Sequence, residues 1–387
     1  MRWPAVPLRE IAPPKASTQP FPDSFVWHLS LEQIEGDTGA VLAKNYDYSG
    51  NAGSSTFYFD TGNVLYSKLR PYLNKVVVPD EPGIATTELI PLRPDPKVLN
   101  PRYLAFYLRS PNFVKQASHH IAGAKMPRVV MDWFWKHKIP LPPLSEQERI
   151  VEILDEADRI RNLRREANQK AEKIIPALFL NMFGDPETNP KGWKIKHIKD
   201  VVLSTDYGTS SKASSDGLGL PIIRMGNIDY EGKIDLKDLK YVQLEHSEIE
   251  RLSLKAGDIL FNRTNSKKLV GKTGLWEGGV EAVPASYFIR VRVNPDIIIP
   301  CFFWAFMNSS HMKKLHFSTA RGAIGQANIN SRELKDFSIF IPPIDKQQLF
   351  KNMLEKLKSL IHHRNQSLIK SENLFSMLLK QSLSGRK

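Results

Sequence analysis

Residues 139–154, IPLPPLSEQERIVEIL, reappear in altered form 200 residues later as IFIPPIDKQQLFKNML (339–354), without a gap. From 139–184 against 339–384, nine of 46 positions are identical: Ile139, Pro142, Pro143, Gln147, Leu154, Arg164, Lys170, Glu172 and Leu178. Apolar positions coincide as well: Ile150 with Phe350, Ile153 with Met353, Ile160 with Leu360, Ile174 with Leu374, Phe179 with Leu379. Such self-similarity means a fold built from two related halves and constrains every later assignment.

Each copy opens as a helix. Pro142-Pro143 and Pro342-Pro343 stop the preceding strand, because proline removes a ladder donor and fixes φ. Ser145-x-x-Glu148 and Asp345-x-x-Gln348 have capping-box spacing. Apolar or small residues then recur three or four apart. In the first copy the packing stripe is Ile153, Ala157, Ile160, Ala167, Ile174 and Leu178; in the second it is Leu357, Leu360, Leu368, Leu374 and Leu378. About 40 residues at 1.5 Å per residue make a rod of roughly 60 Å. Gly184 followed by Pro186 ends the first rod, and Pro176 kinks it or ends it early. The shared stripe predicts that the rods pack on each other as an antiparallel coiled coil.

The larger segments correspond more loosely. Trp3-x-x-Val6-x-Leu8 resembles Trp193-x-Ile195-x-x-Ile198, each an opening strand. GNVLY (62–66) matches GDILF (257–261), a turn feeding a strand. PRYLAF (101–106) falls on CFFWAF (301–306), a buried helix in each. A Gly-containing polar loop follows, Ala122–Arg128 and Arg321–Gln326, and a last strand leads to the Pro-Pro pair. The fold class is therefore α+β, with two globular domains joined by two long helices. The expected boundaries are 1–143, 144–184, 185–343 and 344–387.

The 387 residues are too many for one core. No apolar run is long enough to span a membrane, and no signal segment opens the chain, so a cytoplasmic location is expected. Cys301 is the only cysteine, which excludes an internal disulfide and nearly excludes a Cys-based zinc site. The formal charge of +13 suits a polyanionic partner.

Catalytic motifs do not survive inspection. Asn100-Pro101-Arg102-Tyr103 approaches an adenine-methyltransferase signature, but Arg102 replaces its second proline; it reads as a helix start. Gly271-Lys272-Thr273 looks like the end of a P-loop, yet Ser266 stands where the first glycine is required. Glu231-Gly232-Lys233 reads as a hairpin turn, and the adjacent pairs His119-His120 and His362-His363 as surface rather than metal ligands. No catalytic or metal set is predicted.

Two dissimilar globular modules alternating with two similar helical rods resemble the specificity subunit of type I restriction–modification systems. The residues that carry the resemblance are the paired PLPPLSEQERI and IPPIDKQQ strings, GDILFNRTN and LFLNMFGDP, in this order and at this spacing. The resemblance implies that each module is a target recognition domain reading one half of a split double-stranded DNA sequence. It also implies that the rods space the modules and dock two methyltransferase subunits. Restriction subunits would complete a defence against foreign DNA, and S-adenosylmethionine, ATP and Mg²⁺ would sit on those partners, leaving this chain non-catalytic and without a cofactor of its own. A stand-alone two-domain DNA-binding or scaffold protein is the alternative.

DNA contact needs cations for phosphate and donors or acceptors for base edges, on loops held by a scaffold. In the first module these are Lys68, Arg70, Tyr72 and Lys75, then Lys125 and Arg128. In the second they are Arg263, Asn265, Lys267, Lys268 and Lys272, then Arg321 and Gln326.

Overall fold

A computed structural model describes residues 3–17, 24–321 and 327–383. The chain folds as two compact units, one formed by Met1–Glu166 with Asn365–Lys387 and the other by Ala167–Arg364. The cut passes through both rods, so each unit holds one globular module, half of one rod and the complementary half of the other.

In the first unit, strand Ala5–Pro7 pairs antiparallel with the last strand, Lys138–Pro140. A mixed four-stranded sheet, in the order 45–48, 25–29, 83–86, 56–59, lies beside a three-stranded antiparallel sheet of 76–77, 64–67 and 89–92. Two helices, Pro101–Arg109 and Pro111–His119, follow. The second unit repeats the plan. Lys194–His197 pairs with Ser338–Ile341. Four antiparallel strands run in the order 202–207, 288–293, 259–262, 273–275, and a mixed three-stranded sheet in the order 240–242, 220–223, 283–284, the last pair parallel. Helices Pro300–Met307 and Ser310–Thr319 follow. The α+β class holds, as do the opening strands, the GNVLY and GDILF strands and the buried helices. Asn100 caps its helix by accepting from the N–H groups of Arg102 and Tyr103, the structural role of the Asn-Pro-Arg-Tyr string. Among the described residues no helix is long and apolar enough to cross a membrane.

The rods span Leu144–Glu172 with Ile174–Phe183, and Ile344–Leu383. They start one residue before the expected caps. The carbonyl of Pro143 accepts from the N–H groups of Glu146 and Gln147, and that of Pro343 from Lys346 and Gln347. Ser145 and Asp345 thus lie inside the first turn instead of capping it. The first rod breaks at Lys173, three residues before Pro176, which has no N–H for the carbonyl four residues back. Gly184, at φ +84°, terminates it as expected.

Gln147 and Gln347 are wholly buried at the rod roots. Gln147 Oε1 accepts from the Asn100 N–H (2.8 Å), and its Nε2 donates to the carbonyls of Val98 and Pro142 (2.9 Å each). Gln347 does the same with the Ile299 N–H (2.8 Å) and the carbonyls of Ile297 (3.2 Å) and Pro342 (2.8 Å).

Beyond the roots the halves pack antiparallel. In the first unit Ile150, Val151 and Leu154 share a core with Phe106, Phe375, Leu379 and Leu383. The Arg161 guanidinium lies 4.2 Å over the Phe375 ring, and Arg164 bonds Ser371 and the Ser367 carbonyl. In the second unit Phe179 and Phe183 meet Phe302 (5.6 and 4.8 Å between centroids) and Phe350 (6.0 and 5.5 Å). Ala157 and Leu378 pack against the first core and Leu178 against the second, while Ile153, Ala167, Leu357 and Leu368 are half-buried. Four stripe residues are corrected: Ile160, Ile174, Leu360 and Leu374 are 38%, 43%, 59% and 54% exposed. Each precedes a seam residue (161, 175, 361, 375) by one position, which is 100° around the helix. The true seam takes in Arg161 and Ser371, polar residues that an apolar stripe passes over.

Two measurements follow. Gln147→Met leaves one N–H and two carbonyls unpartnered in a dry site; at roughly 1–3 kcal/mol per buried group, native-state hydrogen exchange should show a loss of at least about 3 kcal/mol in the first unit, and Gln347→Met the same in the second. Each unit also holds a histidine whose charged form is desolvated, half-buried His137 and buried His316: the first is pushed down to about 4 and the second to about 3, from 6.5. The unfolded chain takes up these protons first, so stability falls as pH drops below 6.5, by up to about 1.4 kcal/mol per pH unit per group, and levels off below the folded values. Acid titration of His316→Leu should lack this component in the second unit alone.

Candidate nucleic-acid interface

In each unit the loop after a central strand is tied to the segment just before a short helix, Met131–Lys136 in the first and Ser331–Asp336 in the second. In the first, the Val129 N–H donates to the Lys68 carbonyl (2.9 Å) and the Arg70 N–H to the Pro127 carbonyl (2.7 Å). In the second, the Ile329 N–H donates to the Arg263 carbonyl (2.9 Å), and Thr264–Asn265 pairs with Ala327–Asn328. The tie at Val129 and Ile329 recurs at the repeat spacing. It brings Lys68, Arg70, Tyr72 and Lys75 to the segment holding Lys125 and Arg128, and Arg263 and Asn265 to the segment after Arg321.

The cations in these loops divide by what neutralises them. Arg128 is held by Glu88 through its Nε (3.0 Å) and Nη2 (2.7 Å), and this pairing holds the Glu88 carboxyl below its usual range. Lys75 Nζ donates to the Leu31 carbonyl (2.6 Å). Lys68 is half-buried, whereas Arg70, Tyr72 and Lys125 are exposed. In the second unit Arg263 lies 4.7 Å over the Tyr207 ring and donates to Asn328 Oδ1. Asn265 Nδ2 donates to the buried Asn262 Oδ1 (2.8 Å). Lys267 is exposed, 4.8 Å from the Phe317 ring, and Lys268 is exposed beside it. Arg321 is exposed with Glu333 3.6 Å away, and Gln326 lies outside the described residues.

Lys272 is a correction. It is 8% exposed, and its ammonium donates to the carbonyls of Met225 (2.8 Å) and Ile228, so it faces the interior instead of a phosphate. Burial lowers its pKa. Gly271, at φ +86°, is needed by the packing, since a Cβ there would lie 2.3 Å from the His316 ring. Among the described residues no cluster of three or more His, Cys, Asp or Glu is placed to hold a metal.

Sequence reading missed four residues that hold others in place: Glu88, Tyr207, Gln147 and Gln347. Glu88 and Tyr207 lie far along the chain from the cations they hold. The two glutamines carried a signal, Gln147 being a polar identity inside an apolar repeat.

The family model described as type I restriction modification DNA specificity domain matches residues 34–173 and again 190–370. The chain belongs to the type I restriction–modification specificity family. It carries two copies of a DNA specificity domain, one in each half of the repeat. Among curated relatives it is 29% identical over 181 residues to a putative MjaX specificity subunit from Methanocaldococcus jannaschii, covering 46% of this chain and 42% of that one. It is 24% identical over 313 residues to the EcoKI specificity subunit of Escherichia coli K12, covering 76% and 67%. Thus the chain spans about two fifths of the first relative and two thirds of the second. A solved chain from a study of type I complex assembly and conformational transition shares the fold, with a TM-score of 0.66 at 18% identity over 99% of this chain and 97% of that one. The specificity subunit of M. genitalium does so with a TM-score of 0.54 at 12% identity, covering 99% and 96%.

The two kinds of cation separate experimentally. Lys268→Ala should lower the slope of log affinity for duplex DNA against log salt by about one. Lys272→Met should leave that slope unchanged and destabilise the second unit by about 2 kcal/mol, because two buried carbonyls lose their donor.

Proposed function

We propose that this specificity chain reads a split duplex DNA sequence, one half with each unit, and holds methyltransferase subunits over adenines in the two halves. The observation that carries the reading is the recurrent loop tie, Val129 to Lys68 and Ile329 to Arg263, which presents an unshared set of cations on two equivalent frames. The frames repeat while the loop residues differ, as two readers of different half-sites require. Methyl transfer, with S-adenosylmethionine, belongs to the partner methyltransferases, of which two copies match the two halves of the repeat. ATP, Mg²⁺ and cleavage belong to restriction subunits that join them, and the complex works in the cytoplasm on unmodified foreign DNA. The chain itself contributes recognition and assembly, without catalysis.

The test is reconstitution. The purified chain should neither methylate nor cut DNA, and addition of its methyltransferase and methyl donor should produce adenine methylation at a bipartite sequence. Robust methyl transfer by the lone chain would overturn the assignment. Exchanging residues 185–341 for the matching module of another family member should alter one half of the methylated sequence and leave the other intact.

A further inference from the structure

We propose that Tyr72 is a base-reading residue of the first unit, a rigidly presented aromatic side chain that makes apolar contact with a base in the groove and so sets part of one half-site. The inference rests on the DNA-reading function proposed above. Pro71–Leu73 forms a single 3₁₀ turn between Arg70 (φ +48°) and Asn74 (φ +50°), two non-glycine residues in left-handed backbone. Such residues persist only where the surroundings over-determine them, and they gather at functional sites.

The surroundings here do so. Asn74 is buried, its Nδ2 donating to Asp37 Oδ1 (2.9 Å) and the Arg109 carbonyl (3.1 Å). The Asp37 N–H donates back to the Asn74 carbonyl (3.0 Å), and Asp37 is itself left-handed at φ +65°. Arg70 is fixed through Pro127 and Lys75 through Leu31. The turn also sits hard on the neighbouring backbone, since a Cβ at Gly36 would come within 2.5 Å of the Leu73 carbonyl.

What this frame leaves outside is an apolar and cationic surface. Tyr72 is 53% exposed, and its chain neighbour Leu73 and, on the segment tied to this loop at Pro127, Met126 are exposed to a similar degree. Arg70 and Lys125, on the same two tied segments, have no ion-pair partner among the described residues, while Lys75 and Arg128 are tied down. Unpaired cations around a flat apolar group suit a partner that offers phosphates and base surfaces together. A tyrosine ring has only two side-chain torsions, so fixing it against a base loses little entropy. Apolar contact distinguishes bases through the thymine methyl group. The second unit handles the same stretch otherwise: residues 264–265 continue as a strand, Tyr207 lies under Arg263, and an exposed aromatic ring near the cations comes from helix residue Phe317, beside Lys267. The aromatic group thus stands on a different element in each unit, a left-handed loop in the first and a helix in the second.

The experiment is selection from a random duplex library on the full chain assembled with its methyltransferase. Tyr72→Ala should relax base preference roughly tenfold at one or two positions of a single half-site, with the salt slope unchanged. Tyr72→Phe should keep the preference. Arg70→Gly, which tolerates the left-handed backbone, should instead weaken binding to all sequences and lower the salt slope by about one. Unaltered amide exchange at Val129 in Tyr72→Ala certifies that the frame is intact. A specific wild-type complex matched at every position by Tyr72→Ala overturns the assignment alone, as does weakening that is uniform across sequences. A wild-type complex that enriches no sequence overturns the DNA reading and this assignment together.

Discussion

Everything distal to the rod roots depends on one buried amide in each unit. A glutamine side chain offers one carbonyl and two N–H groups, and at Gln147 and Gln347 all three are engaged with backbone. The partners belong to two separate pieces of chain, the approach to the buried helix and the Pro-Pro exit of the last strand. The amide therefore fixes the angle at which the rod leaves the globular module. In a dry site an unsatisfied amide or carbonyl is expensive, so the geometry tolerates little drift. The same solution in both copies, on partners two hundred residues apart, means that both rods are launched by the same local chemistry.

From these roots the cores are completed by distant chain. The second unit is contiguous, and Phe179, Phe183, Phe350 and Leu354 close its core on Phe302 and Phe340. The first unit is not: Leu104, Phe106 and Leu154 are covered by Phe375, Leu379 and Leu383. Its final contacts require closure of a loop as long as the whole second unit. Non-local closure of this kind slows folding, so the contiguous unit is the faster of the two to form. The polar seam of the first unit, with Arg161 over Phe375 and Arg164 on Ser371, specifies alignment at that join, as buried polar positions do in coiled coils.

The same economy of partners sorts the basic residues. Arg290 and Arg292 pair with Asp206 and Asp258 inside the second unit, and Lys272 serves backbone carbonyls. These cations hold strands together. Arg70, Lys125, Lys267 and Lys268 remain at the surface of tied loops, where a phosphate backbone can reach them. A net charge alone does not distinguish the two groups; burial and partnership do.

Sequence alone determined the two-fold plan, the α+β class and the helical rods with their stop at Gly184, because these follow from repeat spacing and from proline, glycine and apolar periodicity. It misjudged Ile160, Ile174, Leu360 and Leu374, since a stripe counted from apolar residues cannot show that Arg161 and Ser371 occupy the seam one position away. It also could not foresee that Lys272 turns inward, that Glu88 holds Arg128, or that Tyr72 stands on a left-handed frame built from Asp37 and Asn74. Those features depend on residues remote in sequence meeting in space. Charge and periodicity are local properties of the chain, whereas burial and partnership exist only once the tertiary structure has brought the groups together.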